Sequence, residues 1–205
     1  MRLFSGPRGF SRLWRKDESG ATAIEFAMVI GPFLGLLFAI LEVALVYFAQ
    51  FSLENANETA ARLIRTGAAQ NGTATSNPLS KSQFKQKVCA KLPAFMTCDN
   101  NLIVDIRSFP TFSAAAADLP DLFNPDGSRG AAEKYCPGGP SDMVVATIYY
   151  DWKLFIGMPG LGDFTGKLGL GLGNMPDGSR LIITGFATRN EPFAVGAKPK
   201  PPYSC

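Results

Sequence analysis

The chain contains no histidine. That excludes Ser-His-Asp and Cys-His catalytic triads, His-ligated zinc and a histidine general base. Charge is scarce as well: 18% of residues are Asp, Glu, Lys or Arg, against the usual quarter. Such a shortage points to a membrane segment or to an assembled surface. The net charge of +3 is too small for a nucleic-acid footprint, so no nucleic-acid partner is expected. All of it sits in residues 1–20, where Arg2, Arg8, Arg12, Arg15 and Lys16 outnumber Asp17 and Glu18.

Close cysteine pairs are missing too. Cys89, Cys98, Cys136 and Cys205 form no C-x-x-C, which removes the all-cysteine zinc site. Neither a metal nor a cofactor is expected. An even cysteine count fits disulfides formed in an oxidising compartment. Three pairings stay open, and four free thiols in a cytosolic chain are the alternative. The glycine-rich run Gly157 to Gly173, GMPGLGDFTGKLGLGLG, is no phosphate loop. Gly166-Lys167 lacks both the glycine five residues back and the following Ser/Thr. A connecting loop is the better reading, with Leu161, Phe164, Leu168, Leu170 and Leu172 available as a contact surface.

What is present begins with Phe26 to Ala49, FAMVIGPFLGLLFAILEVALVYFA, interrupted by one charge, Glu42. About 20 apolar helical residues cross a bilayer core, so this segment can span. The basic leader would stay cytoplasmic by the positive-inside rule, with the rest of the chain across the membrane. A cleaved secretory signal fits less well, because the run is too long and Val-Tyr-Phe-Ala-Gln at its end offers no small-x-small site. The helix continues beyond the span. Leu53, Ala56, Ala60, Leu63 and Ile64 share one face, and Glu54, Asn57, Glu58, Arg62 and Arg65 lie elsewhere. Gly67 is placed to end it, giving a helix over about 21–66. Pro32 removes one backbone hydrogen bond inside it, which favours a kink.

Residues 70–80 read as a polar loop. Ser80 with Gln83 forms a capping-box pattern ahead of Phe84, Val88 and Leu92, so a short helix is expected up to about Lys91, stopped by Pro93. The period then changes. Leu102 to Arg107, Met143 to Trp152 and Leu181 to Thr188 are rich in β-branched and aromatic residues and read as strands. Asn124-Pro125-Asp126-Gly127 and Cys136-Pro137-Gly138-Gly139-Pro140 read as turns. Pro199 to Pro202 make an extended tail that a disulfide from Cys205 would tie down. The expected fold is α+β: a long N-terminal transmembrane helix continuing into a domain with a three- to four-stranded antiparallel sheet.

Glu25, at the entrance of the apolar run, raises the functional question, since a carboxylate in lipid usually has a task or a partner. One reading places Glu25 and Glu42 at the two membrane interfaces. The neighbours suggest another. Basic residues, then Gly20, four small or apolar residues, Glu25-Phe26 and a long apolar helix resemble the type IV prepilin class. The sequence Gly20-Ala21-Thr22-Ala23-Ile24-Glu25-Phe26-Ala27-Met28-Val29-Ile30-Gly31-Pro32-Phe33, with Glu42 and Ala60-Ala61-Arg62, is similar to the TadE-like family of the tight-adherence (Flp) pilus system. Arg189-Asn190-Glu191-Pro192-Phe193 resembles the C-terminal end of such proteins.

The resemblance implies a minor pilin or pseudopilin, a structural protein and not an enzyme, since the major Flp pilin is much shorter. Gly20 and Ala21 would flank the bond cut by a prepilin peptidase. Glu25 would pair with the new N-terminus of a neighbouring subunit; in a low-dielectric bundle such a pair sets axial register. Phe26 stands where the major pilins commonly have tyrosine. The implied division is a cytoplasmic leader 1–20, a transmembrane and amphipathic helix 21–66 and a periplasmic domain 67–205, in a single-pass protein of the bacterial inner membrane or of an extracellular pilus. Implied partners are the prepilin peptidase, other minor pilins, the major Flp pilin, the inner-membrane assembly platform and membrane lipid. The alternative is an uncleaved, membrane-anchored periplasmic assembly factor of the same system. A membrane-tethered enzyme or ligand-binding domain is a third reading, and the missing histidine and catalytic spacing weigh against it.

Overall fold

The computed structural model describes residues 20–71, 78–117, 123–126, 128, 130, 133–154 and 172–194. Helix α1 spans Ala21–Arg65, α2 Ala68–Asn71, α3 Lys81–Cys89 and α4 Phe112–Ala117; the strands are β1 Leu102–Phe109, β2 Met143–Trp152 and β3 Arg180–Arg189. This is an α+β fold with a long apolar N-terminal helix and a three-stranded antiparallel sheet. Two compact units divide inside α1, Met1–Leu41 and Glu42–Cys205.

In α1 the helical assignment runs unbroken through Pro32. Arg62 and Arg65 lie in its last turn, where cations oppose the negative end of the helix dipole. From Glu42 onward the helix turns one-sided. Val46, Ala49, Leu53, Ala56, Ala60 and Ile64 are buried in the main core and recur at three and four residues, as one helix face requires. Two residues depart from expectation. Asn57, read as an outer-face residue, is buried, and its Nδ2 donates to the Gly185 carbonyl at 3.2 Å. Glu42, read as an interfacial residue, is 3% exposed within the chain. Periodicity marks a face by apolar residues alone, so it misses a polar side chain that the fold encloses.

The sheet order is β1-β2-β3, with β2 central. Leu102 pairs with Tyr150 and Phe109 with Met143; Met143 then pairs with Arg189 and Trp152 with Arg180. Alternation along the strands sends Leu102, Val104 and Ile106, Val144, Ala146, Ile148, Tyr150 and Trp152, and Ile182 to one face. These pack with the α1 stripe and with Phe84 and Val88 of α3. The opposite face carries smaller clusters, Ile103 with Tyr149 and Leu181, and Phe109 with Ala115 and Met143. α3 starts on the expected capping box, with Ser80 and Gln83 satisfying each other's backbone N–H.

Both sheet edges are occupied in part, which blunts pairing with other chains. Beside β1, Ile106 N–H donates to the Lys134 carbonyl and Cys136 N–H donates to the Ile106 carbonyl, each at 2.9 Å. Beside β3, the side chain of Asn174 both accepts from Leu181 N–H at 2.7 Å and donates to its carbonyl at 3.1 Å. Asp105 is buried in β1, where its Oδ2 pairs with Arg107 Nε at 2.8 Å and its Oδ1 accepts from Lys134 N–H at 2.7 Å. A carboxylate and a guanidinium can share a sheet face only when paired and hydrogen-bonded in this way.

Candidate functional site

The N-terminal segment comes first. Gly20 is exposed and immediately precedes α1, with nothing within 4 Å of the position a Cβ would take. Glu25 lies just inside the helix and is exposed. Ile24, Phe26, Met28, Val29, Phe33, Leu36 and Phe38 are exposed around it. Large apolar side chains left open on all sides of a helix are the mark of a membrane span or a buried assembly position. Thr22–Arg65 is long and apolar enough to cross a membrane by length and composition.

A further feature of this helix was not singled out from the sequence. Ala23, Ala27, Gly31, Gly35 and Ala39 recur every four residues, and among the described residues nothing beyond the helix's own nearby backbone lies within 4 Å of a Cβ position at Gly31 or Gly35. Its signal is plain once spacing is counted among small residues instead of large ones. Small residues at this spacing let helix backbones approach closely in lipid.

At the other end of α1 the chain builds a clasp. Gly67 adopts φ +77°, the left-handed conformation that ends a helix and that glycine tolerates best. Its N–H donates to the Ile64 carbonyl at 3.0 Å. Two of the terminal carbonyls gain partners from beyond the helix. Ile64 also accepts from Gln70 Nε2 at 3.1 Å, and Arg65 accepts from Glu191 N–H at 2.9 Å. Arg65 Nε and Glu191 Oε1 lie 3.4 Å apart. Gln70, in what reads as a polar loop, is buried and reaches the Pro137 carbonyl at 2.6 Å. Asn190 Nδ2 donates to the carbonyls of Pro137 and Gly139 at 3.0 and 2.9 Å. The ring of Phe193 fills the space over Gly67, 2.4 Å from where a Cβ would stand. Arg189-Asn190-Glu191-Pro192-Phe193 thus locks the end of α1 to the turn after Cys136.

Cys89 and Cys98 are joined in a disulfide with Cα atoms 6.0 Å apart. Cys136 is disulfide-bonded as well. Cys205 and the tail 199–202 lie outside the described residues, as do the leader 1–19 and the glycine-rich positions 157–171. Among the described residues no group of three His, Cys, Asp or Glu is placed to hold a metal ion.

The described surface carries an organised charge cluster. Lys153 Nζ lies 2.6 Å from Asp177 Oδ2 and 3.2 Å from Asp151 Oδ2. The hydrogen bond from Lys153, with that from the Ser179 hydroxyl, holds the Asp177 carboxyl down to about 2, and the Asp177 bond in turn raises Lys153. Burial raises the Tyr135 and Tyr150 hydroxyls.

A long apolar helix that continues under a three-stranded sheet defines an α+β protein whose N-terminal helix is compatible with a single-pass membrane anchor. The model of the TadE family, described as TadE-like protein, matches residues 20–62, and over that segment the chain is similar to TadE-like proteins. The match starts at Gly20 and ends inside α1, so it covers the helix and not the sheet. No curated protein and no solved structure matches the chain. The TadE-like segment supports a component associated with the tight-adherence pilus system.

Proposed function

We propose that this protein is a minor pilin or pseudopilin, cleaved after Gly20 by a prepilin peptidase and inserted into the pilus through its N-terminal helix. One observation carries the reading. The TadE-like match begins at Gly20, directly before α1, and Glu25 stands exposed with no ion pair among the described residues. Cleavage before Ala21 would create an ammonium at the head of an apolar helix. Glu25 of an adjacent helix would neutralise it, and in a low-dielectric bundle one such pair fixes the axial offset between subunits. The open column of small residues supports close helix packing with the major Flp pilin and other minor pilins. The leader would face the cytoplasm, the sheet domain the periplasm, and the assembly platform would receive the helix. The role is non-catalytic.

The test is the intact mass of the protein made with its prepilin peptidase, beside a Gly20→Ala variant and a peptidase-lacking strain. Loss of residues 1–20 in the first alone is the expected result. An unprocessed chain in all three would leave an uncleaved periplasmic assembly factor as the account. Glu25→Gln in the processed protein is expected to leave folding unchanged and to abolish its recovery in pili.

A further inference from the structure

The loop closed by the Cys89–Cys98 disulfide carries Phe95, which is 53% exposed although its neighbour Met96 is buried in the core. Met96 N–H donates to the Pro93 carbonyl at 2.9 Å, and the Thr97 carbonyl accepts from Tyr150 OH at 3.2 Å. The tip is therefore held in place from both sides. The Phe95 ring stands 5.8 Å from that of Phe48 on α1 and 6.2 Å, edge-on, from that of Trp152 at the end of β2. Phe48 is itself 52% exposed, and Tyr47 and Phe51 beside it are exposed too. Two separate segments thus present aromatic rings at one level of α1. That level is where the apolar run ends: Gln50, Glu54 and Glu58 follow. From Phe26 to Phe48 a helix is about 33 Å long, close to the roughly 30 Å of a bilayer hydrocarbon core. Two of the nearby charged groups are engaged within the domain, Lys153 by Asp151 and Asp177, and Lys85 by the Asp99 carbonyl, while Lys91 in the disulfide loop is exposed. The exposed tip of the loop, Ala94 and Phe95, is apolar.

We propose that Phe95 and Phe48 form a membrane-interface anchor that rests the Cys89–Cys98 end of the sheet domain on the bilayer, with the rings at the boundary between headgroups and acyl chains. Tyrosine, here Tyr47, favours that boundary, phenylalanine buries into it from interfacial surfaces, and the patch follows the apolar run directly in sequence. The occupant is lipid of no particular headgroup charge. The proposal rests on α1 spanning the membrane, and the experiment separates the two. The full chain, in a Trp14→Phe parent, is reconstituted in phosphatidylcholine vesicles whose acyl chains carry bromine either near the headgroup or near the bilayer centre. Single tryptophans are introduced as Phe38→Trp, Phe95→Trp and Phe112→Trp, and the parent's Trp152 emission is subtracted. Phe112 is exposed at the opposite end of the sheet, so it reports adsorption unrelated to the anchor.

The expected result is that Phe95→Trp loses more emission to shallow than to deep bromine, Phe38→Trp shows the reverse, and Phe112→Trp loses none. Quenching at Phe38→Trp without quenching at Phe95→Trp overturns the anchor and leaves the span intact. No quenching at Phe38→Trp removes the span, and the anchor with it. Equal quenching at Phe95→Trp and Phe112→Trp means non-specific adsorption and overturns the proposal. A blue shift at Phe95→Trp without bromine quenching assigns the patch to a protein neighbour and overturns it equally.

Discussion

The two halves of α1 are built from similar residues and meet opposite surroundings. Before Leu41, leucines, phenylalanines and isoleucines stand exposed on every side. After it, a single stripe from Val46 to Ile64 disappears into the core, and Glu54, Glu58 and Arg62 face outward. The first half carries Gly31, Pro32 and Gly35 and is still helical, so local propensity does not decide the difference. What decides it is the angular distribution of polar groups. A helix apolar all round asks for a solvent that is itself apolar, whereas a one-sided helix asks for a sheet.

That contrast is tested most severely at matched leucines. Leu53 is 0% exposed and Leu36 is 64% exposed. Leu53→Ala is expected to lower the unfolding free energy of the sheet domain by about 2–5 kcal/mol, as buried leucine truncations do. Leu36→Ala is expected to change it by less than about 0.5 kcal/mol. Urea unfolding in detergent, followed by Trp152 emission, gives both numbers; equal losses would erase the contrast.

Next in size is the staple beneath the second half. Replacing Cys89 and Cys98 together by serine removes a short loop closure, with an expected loss of about 2–3 kcal/mol. It shows as a lower unfolding midpoint than that of the oxidised wild type, and reduction of the wild type lowers the midpoint at least as far because Cys136 is bonded too.

The end of α1 sharpens the comparison further, because the second half has a terminus fixed by other segments. Gly67→Ala places a methyl group against Phe193 and forces a non-glycine residue to positive φ, at a cost of about 1–3 kcal/mol. In a double-mutant cycle with Phe193→Ala, part of that cost should be relieved. A purely backbone effect would leave none relieved.

The smallest effect is electrostatic. The folded-state pKa of Asp177 is depressed from 3.8 to about 2. Its pairing with Lys153 therefore contributes fully above pH 3.8 and vanishes as the pH falls through about 2. The pair is exposed, so the contribution is below about 1 kcal/mol. Lys153→Met should flatten that part of the acid-unfolding profile and leave the neutral region unchanged.

How far the sequence reveals this molecule follows from which interactions are local. The length of α1, the capping box at Ser80 and Gln83, and strand β2 were legible because periodicity, a cap pattern and β-branched density are all properties of neighbouring residues. β1 and β3 extend slightly beyond the expected runs, since pairing with β2 carries them past their most apolar positions. α4 was not anticipated: Phe112–Ala117 is short and alanine-rich, and its packing on β1 and β2 arises only once the sheet exists. Asn57 and Gln70 escaped for the same reason, because each finds its carbonyl in a segment more than 60 residues away. The small-residue column at Ala23 to Ala39 was visible in principle and was masked by attention to the large residues around it. The neighbours of Gly20 and Glu25 drew notice through their pattern alone; no packing within the chain distinguishes them.

The clasp over Gly67 has a consequence for the order in which the chain is made. A ribosome releases residues 190–193 long after Arg65, yet Arg65 receives its terminal hydrogen bond from Glu191. The end of α1 therefore waits, with the Arg65 carbonyl uncapped by this contact, until residues 190–193 have emerged. Completion of the domain is scheduled by synthesis: the helix is first out and last secured, and a chain cut short before Asn190 lacks the piece that finishes it.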